Sequence, residues 1–362
     1  MTRRFLFTVV AALGAWVGAA SPAAAQGGFD PAIISSTTIA QDQKEAIRTF
    51  AGAALAKLKN ADNPVEMKRG RDDLLEQLKP AKGPTVAFRQ AYSEALVNEL
   101  KDLAKGEEDK VAINALIVSG ELATPDSATI LESHLGDKRT AVRFAAANNM
   151  ARTFEALSKS SPAMPPDRVK AMTEALGEMV ARDNDAEPLD AAVRSLIAGL
   201  ALQKQEHAPA REAALSALAK RCGERLKKAD AADDATARAM LRAITGIRNA
   251  VSAGAPFKPE GYHASGKLCR DAIDYIRRNL PAFQQRPAET RTVQEAILNE
   301  TENLATAASS KLGGPAYQPR GLSTDFAKND RAVSTKLLDA LKWFGDPPFR
   351  LALETNPPPG GG

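Results

Sequence analysis

The sequence predicts an all-α chain of stacked antiparallel helix pairs, and three observations predict it. Val, Ile, Thr and aromatic residues never gather in strand-length runs, whereas Ala, Leu, Glu, Lys and Arg fill long segments; these lose little freedom in a helix. Helix punctuation recurs: Asn63-Pro64-Val65-Glu66 and Thr124-Pro125 place a cap residue before a proline in the first turn, Pro80 and Gly106 mark stops, and Gly136 fits a C-terminal glycine cap. Taken in pairs, the helices begin near 41, 85, 125, 167 and 209, at intervals of 44, 40, 42 and 42 residues. A recurring helix pair of that length is the period of a helical solenoid.

In chain order, residues 1–25 read as a signal peptide. Arg3 and Arg4 precede an uncharged apolar run from Phe5 to Ala20, and Ser21-Pro22-Ala23-Ala24-Ala25 supplies a small-residue cleavage site near Ala25. The run is 16 residues long, short for a bilayer span, which needs about 20. Residues 26–40 read as an extended segment. Helices are expected near 41–59, 64–79, 85–104, 107–120, 125–135, 138–158, 166–183, 187–204, 209–229 and 231–251, and these form the repeats. Further helices near 264–279, 288–311 and 328–344 fall in a C-terminal cap or small bundle, 252–345, separated by Gly- and Pro-rich segments at 252–263 and 312–327. Residues 346–362 end in Pro-Pro-Pro-Gly-Gly-Gly and read as a disordered tail.

One helical hairpin cannot bury both of its apolar stripes, and stacking lets each hairpin cover the next. Small residues on the second helix of a pair, such as Ala145, Ala146 and Ala147 after Val142, allow close packing. The spacing Leu131-x3-Leu135-x-Asp137-x4-Val142-Arg143-x2-Ala146-Ala147-x2-Met150 resembles the HEAT repeat consensus. That resemblance implies a right-handed α-solenoid in which Asp137 caps its helix and Arg143 pairs with an aspartate of its own or an adjacent repeat. It covers 130–151 most clearly. Val193-Arg194 repeats the Val-Arg pair, with Pro188 where the aspartate belongs, and Arg211-Glu212-Ala213-Ala214-Leu215 is a weaker echo.

Composition narrows the function. Signal cleavage removes two arginines and no acid, taking the formal charge from +4 to +2, too little to attract nucleic acid or acidic lipid. Aromatic residues are 5% of the chain, against the stacking platforms that single-stranded nucleic acid needs. No segment after the signal reaches the length of a membrane span. The histidines His134, His207 and His263 are scattered, no Cys-x2-Cys or His-Glu-x2-His occurs, and neither a metal nor a cofactor is expected. Gly261-Tyr262-His263-Ala264-Ser265-Gly266-Lys267-Leu268 matches seven positions of a phosphate-binding loop but puts Leu268 where a magnesium-holding hydroxyl belongs, and no strand precedes it. No nucleophile elbow appears. Cys222 and Cys269 are either a disulfide, which would stabilise by about 4 kcal/mol, or two buried thiols. The expected function is an exported, non-catalytic scaffold or adaptor for a protein partner. The alternative is an exported enzyme or enzyme subunit with a site in 252–327, around Tyr262, His263, Lys267, Tyr317 and Arg320.

Overall fold

The computed structural model describes residues 28–60, 62–79, 83–159 and 164–351; the expected signal peptide and the last residues of the tail, 352–362, lie outside them. A short α1 (Pro31–Ile34) precedes α2 (Gln41–Leu58), α3 (Pro64–Glu76), α4 (Val86–Lys105), α5 (Asp109–Leu122), α6 (Pro125–Ser133) and α7 (Thr140–Lys159). Then come α8 (Pro166–Arg182), α9 (Ala186–Leu200), α10 (Ala208–Lys228), α11 (Asp234–Ser252) and α12 (Pro259–Arg278). The chain closes with α13 (Leu280–Gln284), α14 (Thr292–Lys311), α15 (Leu322–Ala327) and α16 (Val333–Trp343). No strand occurs among the described residues.

Cap chemistry sets the helix starts. Asn63 accepts the N–H groups of Val65 and Glu66, both at 3.2 Å, ahead of Pro64. Thr124 does the same for Ser127 ahead of Pro125. Gly136, in contrast, is no left-handed cap: α6 already ends at Ser133, and the His134 ring bonds the Ile130 carbonyl at 2.8 Å.

The helices pack in two layers. In one, α2, α4, α6, α8, α10 and α12 lie each against the next; in the other, α3, α5, α7, α9, α11 and α14 do the same. Each first-layer helix also packs on its partner in the second, so the architecture is an α-solenoid of six stacked pairs among the described residues. The stacking does not stop at 251, where the sequence reading ends its repeats, because α12 and α14 continue the two layers as a further pair. Pro259 starts α12 at its first position, so residues 259–263 are helical rather than part of an irregular connection.

A stack exposes apolar faces at its two ends, and aromatic residues cover both. At the start, Phe29 packs against Phe50, Phe88 and Tyr92, and its N–H is held by Gln77 at 3.0 Å. The segment read as extended therefore contains α1 and an anchored ring. At the finish, α15 packs on α14 and α16 on α12, while Tyr317, Trp343, Phe344 and Phe349 form one cluster. Residues 346–351 belong to that cluster and not to a loose tail: Phe349 is buried and the Leu351 N–H bonds the Phe344 carbonyl at 2.8 Å. Gly266 makes room for the Phe349 ring, whose nearest atom would lie 2.2 Å from a Cβ.

Between the ends, helices approach closely because small residues line the contacts. A Cβ on Gly120 of α5 would meet the Asn149 carbonyl oxygen of α7 at 2.7 Å. Gly52 of α2 has nothing within 4 Å of the same position. Gly120→Ala therefore destabilises by about 2 kcal/mol through overpacking, whereas Gly52→Ala stabilises by about 0.5 kcal/mol through helix propensity. Urea unfolding of both variants checks this; equal effects would refute the close approach.

Candidate functional site

Of the residues singled out by sequence, Arg143 forms a structural link between repeats. Val142 and Val193 are fully buried in the core. Arg143 on α7 donates from Nε to Asp183 at 2.7 Å and from Nη2 to Asp185, in the loop after α8. Its Nη1 also donates to the Asp137 carbonyl at 2.9 Å. Asp183 and Asp185 lie 40 and 42 residues further on, so this arginine ties its repeat to the following one.

Asp137 stands two residues before the helix cap. Its carboxylate accepts the Arg139 backbone N–H at 2.9 Å and pairs with the Arg139 guanidinium, whose hydrogen bonds pull its pKa down to about 2. Arg194 departs from the Arg143 pattern: it pairs with Asp190 on its own helix and leans over the Phe144 ring, and Arg242 of α11 shares that aspartate.

Cys222 and Cys269 sit on neighbouring α10 and α12 as buried free thiols, not as a disulfide. Burial pushes the Cys222 thiol up to about 12, and Cys269 is raised as well.

The residues 261–268 form no phosphate-binding loop, since all lie within α12. Nor do the polar residues of 252–327 converge. Lys267 pairs with Asp271 at 3.1 Å, the His263 ring meets Phe349 edge-on, and the Tyr262 hydroxyl faces the Ala255 carbonyl. Buried Glu302 accepts the Tyr317 hydroxyl and the backbone N–H groups of Arg320 and Leu322, which fastens the 312–321 segment onto α14. Among the described residues, no group of three His, Cys, Asp or Glu side chains is placed to hold a metal ion.

Open space lies where the 201–207 loop meets the 253–258 loop. A cavity of 830 Å³ runs between α8, α10 and the start of α12, lined by Lys170, Glu174, Glu212, Phe257 and Lys258 among others. A second, of 500 Å³, lies toward α9 and α11. Gln205, Arg211 and Pro256 line both, so the two form one cleft across the rim of the stack. The region of the alternative site, 252–327, contributes Pro256, Phe257 and Lys258 to this cleft, although none of Tyr262, His263, Lys267, Tyr317 and Arg320 lines it. The other side includes Arg211, which the sequence marks only as part of a weak echo of the repeat.

Arg211 is buried, and its Nη1 donates to the carbonyls of Leu202 at 2.6 Å and Lys204 at 3.2 Å. Next to it on α10, Glu212 accepts the Lys258 N–H at 2.7 Å. Beside them His207 is fully buried with neither ring nitrogen hydrogen-bonded. Burial lowers its pKa from the ordinary 6.5, Lys204 and Arg211 add to the shift, and Glu206 opposes it.

Two measurements test this region. Arg143→Ala leaves the buried Asp183 carboxylate without its main partner and destabilises by about 2 kcal/mol, read by urea denaturation; an unchanged midpoint would show the link to be idle. His207 is neutral when folded and protonates more readily when unfolded. Its neutral form therefore favours folding above pH 6.5, and stability falls as the pH drops below that value. A His207→Leu variant has a flatter melting-temperature profile below pH 6.5 than the unsubstituted chain; parallel profiles would assign the acid loss to other groups.

No family model and no curated protein matches the chain. Solved structures similar to it include an engineered protein at 17% identity, covering 71% of this chain and 97% of the other with a TM-score of 0.39. A designed armadillo repeat protein in complex with the peptide (KR)4 is 16% identical over 69% of this chain and 98% of its own, with a TM-score of 0.35. A second engineered protein covers 87% of this chain and 93% of itself at 16% identity and a TM-score of 0.31. The assignment to stacked helical repeats rests on the packing of the two layers, not on these likenesses.

Proposed function

We propose that this chain is an exported, non-catalytic HEAT-like scaffold or adaptor that binds a protein partner on its solenoid surface. The observation that carries the reading is the cleft shared by the 201–207 and 253–258 loops on a stack of helix pairs. Stacked repeats offer long surfaces of fixed shape, and Lys170, Glu174 and Lys258 at the cleft mix both signs of charge, as the polar rim of a protein interface does. Export is supported by the charged, apolar and small-residue order of the first 25 residues.

Crosslinking in intact cells tests the reading. It is expected to recover one specific envelope or extracellular protein, joined to a chain whose first residue is Gln26, and Lys258→Glu is expected to weaken that crosslink by changing the rim charge. Recovery of abundant unrelated proteins alone, or of a chain still carrying residues 1–25, would overturn the respective half of the proposal.

A further inference from the structure

The smaller half of the cleft has a composition of its own. Its 500 Å³ lies within the range of small-molecule sites. Ile197, Leu200, Leu202, Ala250 and Pro256 supply apolar wall, and Gln203, Gln205 and Asn249 add neutral amides. Arg211 is the one charged residue among the described residues that line it. That guanidinium is buried, yet only Nη1 is committed, to two carbonyls; Nε has no hydrogen-bond partner in the protein. Arg89 caps the end of α5 in the same manner through Nη1, but it lines neither half of the cleft.

We propose that this pocket binds a carboxylate that terminates an apolar body, with Arg211 as the anion's partner. One buried cation in an apolar wall balances one negative charge. A phosphate dianion would leave an excess charge in a medium that solvates it poorly. The planar guanidinium matches the planar carboxylate, which a lysine ammonium does not. Three neutral amides line the same pocket and add hydrogen-bond donors without adding charge. A free organic acid and the C-terminal residue of a peptide share this chemistry. The inference does not depend on the adaptor reading, because a small acid can bind whether or not a protein partner exists.

Calorimetric titration of the chain lacking residues 1–25 tests it with octanoate, octanol, inorganic phosphate, and an acetylated tetrapeptide ending in leucine as free acid and as amide. Binding of octanoate or of the free-acid peptide is expected, with a dissociation constant below about 1 mM. Octanoate alone assigns the pocket to small acids, and the peptide acid alone assigns it to chain termini. Arg211→Lys is expected to weaken binding about tenfold. Ala250→Phe, which fills the pocket and leaves Arg211 in place, is expected to abolish it, and it decides the matter should Arg211→Lys fail to fold. The proposal is overturned if neither acid binds, if octanol or the amide binds as well as its acid, if phosphate binds more tightly, or if Ala250→Phe binds unchanged.

Discussion

The stack depends on what happens to the carbonyls at its helix ends. A helix leaves its last four carbonyl groups without internal partners, and here many of those ends lie against another helix instead of in open water. Arginines from neighbouring helices meet them. Arg89 of α4 reaches Glu121 and Leu122 at the end of α5, Arg139 reaches Ala104 and Gly106 at the end of α4, and Arg278 of α12 reaches Leu226 in α10. Arg225 of α10 reaches Val180 and Asp183 at the end of α8, and Arg211 does the same for Leu202 and Lys204 in the connection that follows α9. Arginine suits the task because its charge is permanent and its donors lie in one plane, so one side chain serves two carbonyls. Several of these contacts run between repeats rather than within one. They therefore add to the neighbour-to-neighbour coupling that lets a solenoid fold as a unit.

The same stacking governs side-chain size. Within a layer every inner helix meets a neighbour on both sides, and a bulky residue at the crossing would hold the backbones apart. Gly120 facing Asn149, Gly177 facing Ala217 and Gly223 facing Asp271 show how thin the crossings are. The rings that the core excludes at these crossings concentrate at the two ends, where no further repeat competes for space. A low aromatic content is then a property of the architecture, and it weighs less against ligand binding than it does in a globular domain.

Much of this was legible in the sequence. Helix pairs at a period near 42 residues, the caps at Asn63 and Thr124, and an arginine answered by an aspartate all follow from local rules. What escaped has physical reasons. The first turn of α12 has the Gly and Pro content of a loop, although Pro259 stands where proline favours a helix start. Gly136 has the residue type of a cap, but α6 ends three residues earlier, at Ser133. The residue answering Arg143 could not be located by consensus, since Pro188 occupies the expected position and the carboxylates come from the preceding turn, at Asp183 and Asp185. The anchored ring of Phe349 was lost among prolines and glycines, because no periodicity marks a residue that packs from a turn.

The cleft was illegible for a deeper reason: it comes from two connections that do not touch in sequence. After α9 the chain needs a 3-10 turn, Gln205–His207, before α10 begins, and after α11 Gly254 takes a positive φ of 80° before α12. These two detours leave the space that the helices alone would have filled. The 201–207 detour also exposes carbonyls, those of Leu202 and Lys204, which Arg211 turns inward to satisfy. A side chain recruited to satisfy loop carbonyls is thereby placed in the wall of a cavity with part of its fork uncommitted. The two carbonyl dipoles already facing it lower the cost of holding a cation there without an ion pair. A structural arginine thus supplies the cleft with its one buried charge, and the repeat architecture needs nothing new to create a binding group.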